Sequence, residues 1–553
     1  MISKNKKLKF LLYIIVFFSI FIKISLVKSP SFTQFDEIIN ITNKSKFYQS
    51  TKEYNIFLSG NIDCKTKEQK YDDAKFIEIP LINFECKNIK ISNNLINNNI
   101  FLYSLKMSFN VNYGPLNFFF SNLFLNKNSE FQKQIFQARI PFLVLSIFSI
   151  FFFLGILRNL FRDKETIILL LCLFAFSHMI NIYEIQSIPW GISSLASITL
   201  IYFLNKKKDF FNSNLNIVII VITNLLFFYF NWILIFLSLI FYLMIIFFHK
   251  KIKILISFVF YLLGTIPGIL IVLQKAVING RSDFLPINID KNFIFNIFER
   301  FYYIFISNFQ PLYSNLEFNF HLIVLFFVFI ITFFILLSKN LIIKNLIISF
   351  SIYTILIYLF LNLIGKFPFK GDRHSILLYP QFIIILGFGL NYLLTLIKYK
   401  FVVKGLIYCL SLMQIYISIY NYPKFIYQYE TLQNDKNIIF FDEYIKKNKI
   451  DRIITDRINI LWLKKTNIEI FDIVNNDSYN FHDTSKNMII ILSNYLDNAN
   501  YHNIIKKFNI ALIYKKDGKN IDIINDKVYK KFTVSNIPKY TNSMVALRIL
   551  NEK

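Results

Sequence analysis

Apolar residues run along this chain in long unbroken blocks, not in the short periodic stripes of a soluble fold. The first block follows KNKKLK at residues 4–9 and ends near Val27. Ten more lie at roughly 140–160, 166–182, 188–204, 215–230, 233–248, 254–273, 321–338, 343–364, 375–395 and 401–420. Runs of about 18–25 residues suit helices that cross a hydrocarbon core roughly 30 Å thick. The pattern predicts an α-helical polytopic membrane protein with about 11 transmembrane helices. Its expected organisation is a first transmembrane helix at 1–27, a hydrophilic loop at 28–139, helices two to seven at 140–273, a second loop at 274–320, helices eight to eleven at 321–420 and a tail at 421–553.

Two polar stretches carry patterns of their own. KNFIFNIFERFYYIFISNF (291–309) is too charged to span comfortably, and its aromatic side chains suit a helix lying in the interface plane. The tail alternates short apolar runs such as RIITD and NMIIILS with helical stretches, which predicts a small α/β domain. It has no Gly-rich phosphate loop.

Charge sets the expected orientation. The formal net charge is +27, but no basic stripe interleaves with aromatics on a soluble module, so nucleic acid is not an expected partner. Arg158, Arg162 and Lys164, then Lys206, Lys207 and Lys208, then Lys250, Lys251 and Lys253, and finally Lys398, Lys400 and Lys404 all fall between spans on one side. The positive-inside rule makes that side cytoplasmic. The first helix is expected to stay uncleaved, because LVKSPSF is a poor cut site. The N-terminus is then cytoplasmic and the tail extracytoplasmic, as in a bacterial inner-membrane protein. One loop opposes the bias: GKFPFKGDRHS places Lys366, Lys370 and Arg373 outside. An anionic lipid phosphate would offset them, through a bound substrate or ordinary headgroup contact.

Of four cysteines, Cys172 and Cys409 lie inside apolar runs and are expected in the core. Cys64 and Cys86 share the first loop, where an oxidising compartment permits a disulfide without requiring one. Asp36 and Glu37 sit side by side in FTQFDEIINIT, just past the first span. Loop carboxylates are usually only solvated. Here, however, the spans lack central acidic residues, and Lys23, Arg158 and Lys404 lie near helix ends. That distribution favours chemistry at the interface over transport through the middle.

Four stretches carry a family resemblance: QFDEI, NYGPLNFFF (112–120), ARIPFLVLSIFSIFFFLGILRNLF (138–161) and GDRHSILLYPQFIIILGFGL (371–390). In this order they resemble the C-type (GT-C) integral membrane glycosyltransferases, and among these the protein mannosyltransferases and the aminoarabinose transferases of lipid A. The chain differs in reading Glu184-Ile185-Gln186 where the family often has Glu-Ala-Arg, and Tyr113-Gly114 where it has a histidine. The resemblance implies transfer of a sugar from a polyprenyl-phosphate donor to an acceptor hydroxyl, with inversion. The acceptor would be a cell-surface glycan, lipid or protein. Asp36 would be the general base and Glu37 would orient it. Arg373, Lys370, His374 and Arg139 would bind the donor phosphate, while Tyr113 and Glu184 would line the site and Pro115 would shape its loop. A divalent metal is left open, since the acidic residues are too sparse to show ligand spacing. Two other readings stand beside this one: a lipid or glycan transporter or flippase, and a noncatalytic anchor that displays the tail.

Overall fold

A computed structural model describes residues 2–28, 63–66, 84–87, 114–126, 131–278, 292–307, 320–338, 345–365, 373–396, 400–432, 452–455, 469–472, 488–493 and 544–549, with isolated residues at 100, 104, 108, 367 and 369. In chain order its helices are α1 (Ile2–Lys28), α2 (Pro115–Asn122), α3 (Phe131–Leu160), α4 (Lys164–Ala175), α5 (His178–Tyr183), α6 (Ser193–Leu204) and α7 (Asn214–Phe230). Then come α8 (Leu234–His249), α9 (Ile252–Ile278), α10 (Phe293–Ser307), α11 (Phe320–Ser338), α12 (Leu346–Leu363), α13 (Tyr379–Leu396) and α14 (Lys400–Leu432). The 3₁₀ turns Pro189–Ile192 and Arg373–Leu377 lead into α6 and α13.

Among the described residues six segments are long and apolar enough to cross a membrane: Leu8–Val27, Phe136–Leu160, Ile252–Leu270, Leu346–Leu363, Tyr379–Leu396 and Lys400–Tyr420. Pro189–Leu204, Asn214–Phe230, Leu234–His249 and Phe326–Ser338 are shorter apolar helices. This is an α-helical membrane protein. Its packing has the polarity that hydrocarbon demands. From Leu169 to Ala175, α4 is buried on every side, whereas Phe17, Leu215, Phe247, Phe260 and Phe401 stand exposed on outer helices. In lipid an outward Phe or Leu costs nothing, so the centre can be defined by close packing and polar contacts instead.

The span expected at 166–182 is two helices. Ser177 adopts an extended backbone and its side chain accepts from Ile180 N, so it ends one helix and caps the next. A break inside a bilayer frees carbonyls that water cannot reach, and each must find a donor. Ser19 Oγ and Asn181 Nδ2 donate to Ala175 O at 2.8 and 3.1 Å. Ser418 Oγ and Gln414 Nε2 donate to Phe176 O at 2.6 and 3.1 Å. Side chains from α1, α5 and α14 therefore make the break affordable, and in doing so fix those helices around it.

Other expectations need adjusting. The helix α3 starts at Phe131, ahead of the boundary at 140, and α14 continues to Leu432, beyond 420. Cys172 is buried as expected, but Cys409 is exposed on α14, where a thiol faces hydrocarbon without penalty. The helix α10 falls on the aromatic stretch at 291–309. One side leaves Ile294 and Phe295 exposed, and the other docks on the bundle, with Phe301 5.2 Å from Phe369 and Tyr302 5.3 Å from Phe326 between ring centroids.

The basic clusters make local contacts. Lys253 Nζ donates to Asn212 O and Asn214 Oδ1 at 3.1 and 2.9 Å, and Lys404 pairs with Glu165 at 3.2 Å. In the first loop β1 (Asp63–Thr66) and β2 (Phe84–Lys87) pair antiparallel, with Cys64 opposite Cys86. A separate unit holds β3 (Arg452–Thr455), β4 (Glu469–Asp472), β5 (Met488–Ser493) and β6 (Met544–Ile549). Its sheet order is β4-β3-β5-β6, parallel except for β6, which runs antiparallel on the edge of β5.

Candidate functional site

Segments far apart in sequence meet at one end of the bundle. The turn Arg373–Leu377 packs against α5, the turn Pro189–Ile192 and α6; α7 reaches both the Pro189 turn and α2; and α1 lies against α5. Each segment has a local reason for its position.

Pro115 opens α2 with the fixed φ that suits a first helical turn, and Gly114 precedes it. Gly114 is pressed against α7 so closely that a Cβ there would lie 1.9 Å from Tyr229 O. Phe120 then meets Phe230 at 4.8 Å between ring centroids. On the same helix Asn117 is fully buried, and among the described residues neither end of its side-chain amide has a hydrogen-bond partner.

The 184–194 loop is closed on itself. Ile188 N donates to Gln186 O at 2.8 Å and Gly191 N to Ile188 O at 3.1 Å. Gly191 has no room for a side chain, since a Cβ would stand 2.8 Å from Tyr183 O. Asn231 Nδ2 bonds Pro189 O at 3.3 Å, tying the loop to the end of α7. At its tip the Trp190 ring meets His374 edge-on, with centroids 4.3 Å apart, and Ser197 Oγ bonds Leu377 O at 2.6 Å. The expected phosphate-binding stretch is thus walled by the loop after α5.

Behind this wall lies a polar centre. Lys23 Nζ donates to Glu184 Oε2 at 2.7 Å, and the two side chains are 0% and 1% exposed. Ser146 Oγ donates to the same oxygen at 2.8 Å, and Ser149 Oγ donates to Oε1 at 2.7 Å. Ser194 Oγ also bonds Oε1. Lys23 Nζ further reaches Ser146 Oγ at 2.6 Å and Ile180 O at 3.5 Å. One expectation is adjusted here: Lys23 lies inside the bundle as half of an ion pair, although only five residues from the end of its helix. Glu184, expected to line the site, is an anchored carboxylate, because an unpaired charge at that depth would be too costly to bury.

Arg139, two turns into α3, is also buried, at 2% exposure, with Nη1 3.5 Å from Leu26 O. It therefore belongs to the seam between α1 and α3. His374 lies on the 3₁₀ turn beside Trp190, and Arg373 opens that turn. The side chain of Arg373, and residues Asp36, Glu37, Tyr113 and Lys370, lie outside the described residues.

Sequence reasoning missed Lys23, Ser146, Ser149, Ser194, Trp190 and Asn117 as members of this region. A signal existed for some of them. FIKISLVK already has Lys28 to mark the helix end, so Lys23 one turn deeper needs a partner, and Ser146 and Ser149 share one face of an apolar helix at a spacing of three. Among the described residues no group of three or more His, Cys, Asp or Glu gathers to hold a metal. No model of a known protein family and no curated protein matches the chain.

Proposed function

We propose that the protein is a membrane glycosyltransferase that moves a sugar from a polyprenyl-phosphate donor to an extracytoplasmic hydroxyl on a glycan, lipid or protein. The observation that carries the reading is that α2 and the Arg373–Leu377 turn, joined through α7 and the Pro189–Ile192 turn, come to one bundle end, since these two hold two of the stretches on which the family resemblance rests. In this reading the chain crosses the membrane eleven times with its N-terminus in the cytoplasm, and the site and the β3–β6 unit lie outside.

Asp36 takes the proton of the acceptor hydroxyl as its oxygen attacks the anomeric carbon, and Glu37 orients that pair. The carbon–oxygen bond to the lipid phosphate breaks on the opposite face. The phosphate leaves with the bonding electrons, and Arg373, Lys370 and His374 hold the charge that develops. Arg139 raises the positive potential from α3.

The carrier reading has one observation in its favour, the buried Lys23–Glu184 pair. A carboxylate already bonded to four donors is poorly suited to exchanging ions, so transfer at the interface is the better account.

The test is mass spectrometry of surface glycans and polyprenyl-phosphate sugars from a deletion strain, complemented with wild type, Asp36→Asn or Arg373→Ala at equal membrane levels. Loss of one sugar from a glycan, with build-up of its lipid-linked donor in the deletion and both variants, is the expected result. Wild-type glycans in both variants would refute it.

A further inference from the structure

The polar centre has no capacity left for a substrate. Both oxygens of Glu184 are taken up, by Lys23 and Ser146 on one and by Ser149 and Ser194 on the other. An ammonium has three hydrogens to give, and Lys23 has three acceptors: Glu184, Ser146 and Ile180 O. Neither group is free to act as a base or to bind phosphate. What they hold is specific. Glu184 caps the C-terminus of α5 and begins the loop, Ser194 stands in the first turn of α6 at the loop's other end, and one carboxylate joins the two. Lys23 fixes that carboxylate to α1, and Ser146 and Ser149 fix it to α3.

We propose that Lys23 and Glu184 are positioning residues: their ion pair closes the 184–194 loop and so holds Trp190 against His374 at the donor end of the bundle. The inference deepens the transferase reading and rests on it for the meaning of that end, though not for the geometry.

The geometry can be read without any sugar. In full-length protein with its four native cysteines changed to serine, reconstituted in phosphatidylethanolamine–phosphatidylglycerol vesicles, Trp190→Cys and His374→Cys are bridged with a short dithiol cross-linker. A second pair, Glu165→Cys with Lys404→Cys, serves as a control, since Lys404 and Glu165 pair at 3.2 Å far from the loop. Lys23→Met is expected to slow bridging at the loop at least fivefold and leave the control pair unchanged, while Lys23→Arg restores the parental rate. If Lys23→Met does not reach the membrane, Glu184→Gln is read in its place by the same criterion. An unchanged loop rate, or equal slowing at both pairs, overturns the proposal. Failure of the transferase reading would show instead as unchanged glycans in the deletion strain, with the bridging result unaffected.

Discussion

Trp190 and His374 are 184 positions apart in the chain and meet edge-to-face, their ring centroids 4.3 Å apart and their planes at 73°. Such a contact is worth about 0.5–1.5 kcal/mol beyond the area it buries, a factor of roughly 2–10 in how often the wall is formed. Trp190→Phe should preserve the edge contact and most activity. In the transferase reading Trp190→Ala should raise the apparent KM for the lipid-linked donor several-fold with a smaller change in kcat, because it loosens the wall that would hold the donor. A transfer assay with varied donor decides this; equal kinetics for wild type and Trp190→Ala would take Trp190 out of the site.

Gly114 offers a test of stability. Its missing side chain leaves room for Tyr229 O, and a Cβ would come 1.9 Å from that oxygen, where neither partner is a flexible side-chain tip. Gly114→Ala must push α2 away from α7. The expected cost is about 1–3 kcal/mol, the usual penalty of overpacking. It should appear as a lower unfolding temperature in detergent, with activity falling alongside. An unchanged temperature would mean that α2 does not sit so close to α7.

Much of the architecture could be read from the chain because hydrocarbon imposes a simple rule, and apolar runs such as those of α3 and α12 obey it without ambiguity. The break at Ser177 could not be read that way, since Ser177, His178 and Asn181 are too few polar residues to separate one span from two in the run from Ile167 to Ile182. Beside the local Asn181, the donors that satisfy the break, Ser19, Gln414 and Ser418, are distant in sequence. The candidate site was legible as stretches and not as partners. Glu184 and Arg139 could be picked out as charged residues near helix ends. That Glu184 would spend its carboxylate on Lys23 and three serines depends on helix packing, which a one-dimensional pattern does not contain.

The freed carbonyls give a third expectation. Each hydrogen bond inside a helical membrane bundle contributes about 0.6 kcal/mol on average. Ser19→Ala and Ser418→Ala should each destabilise by about that much. Because the two carbonyls, Ala175 O and Phe176 O, belong to adjacent residues of one break, the double variant should depart from the sum. Chemical or thermal unfolding in one detergent would show it, and a single variant costing several times as much would point to collapse of the break.

The first loop provides a test of compartment. In the β1–β2 register the backbone pairs Cys64 with Cys86. A disulfide is expected here, formed by thiol–disulfide exchange with an oxidised protein dithiol, and worth about 3 kcal/mol for a loop of this size. Peptide mapping without reductant should recover the linked pair. If both thiols instead react with a membrane-impermeant maleimide on intact cells, the loop is outside but unbonded. Labelling only after permeabilisation would reverse the orientation.

Asn117 and Gln381 allow structure and function to be separated. Both are fully buried, and among the described residues neither end of either side-chain amide has a hydrogen-bond partner. Burying such a group costs about 1–3 kcal/mol. The two differ in place: Asn117 lies on α2 at the proposed donor end, and Gln381 lies at the start of α13 among apolar neighbours such as Phe382 and Ile384. Asn117→Leu and Gln381→Met keep the shape and remove the amide. Both should unfold at or above the wild-type temperature. Asn117→Leu should nevertheless lose most transfer activity, because its amide is left for a substrate hydroxyl or phosphate, whereas Gln381→Met should keep it. Full activity in Asn117→Leu would mean that α2 only shapes the site. A lower unfolding temperature in either variant would mean that its amide is bonded in the folded protein.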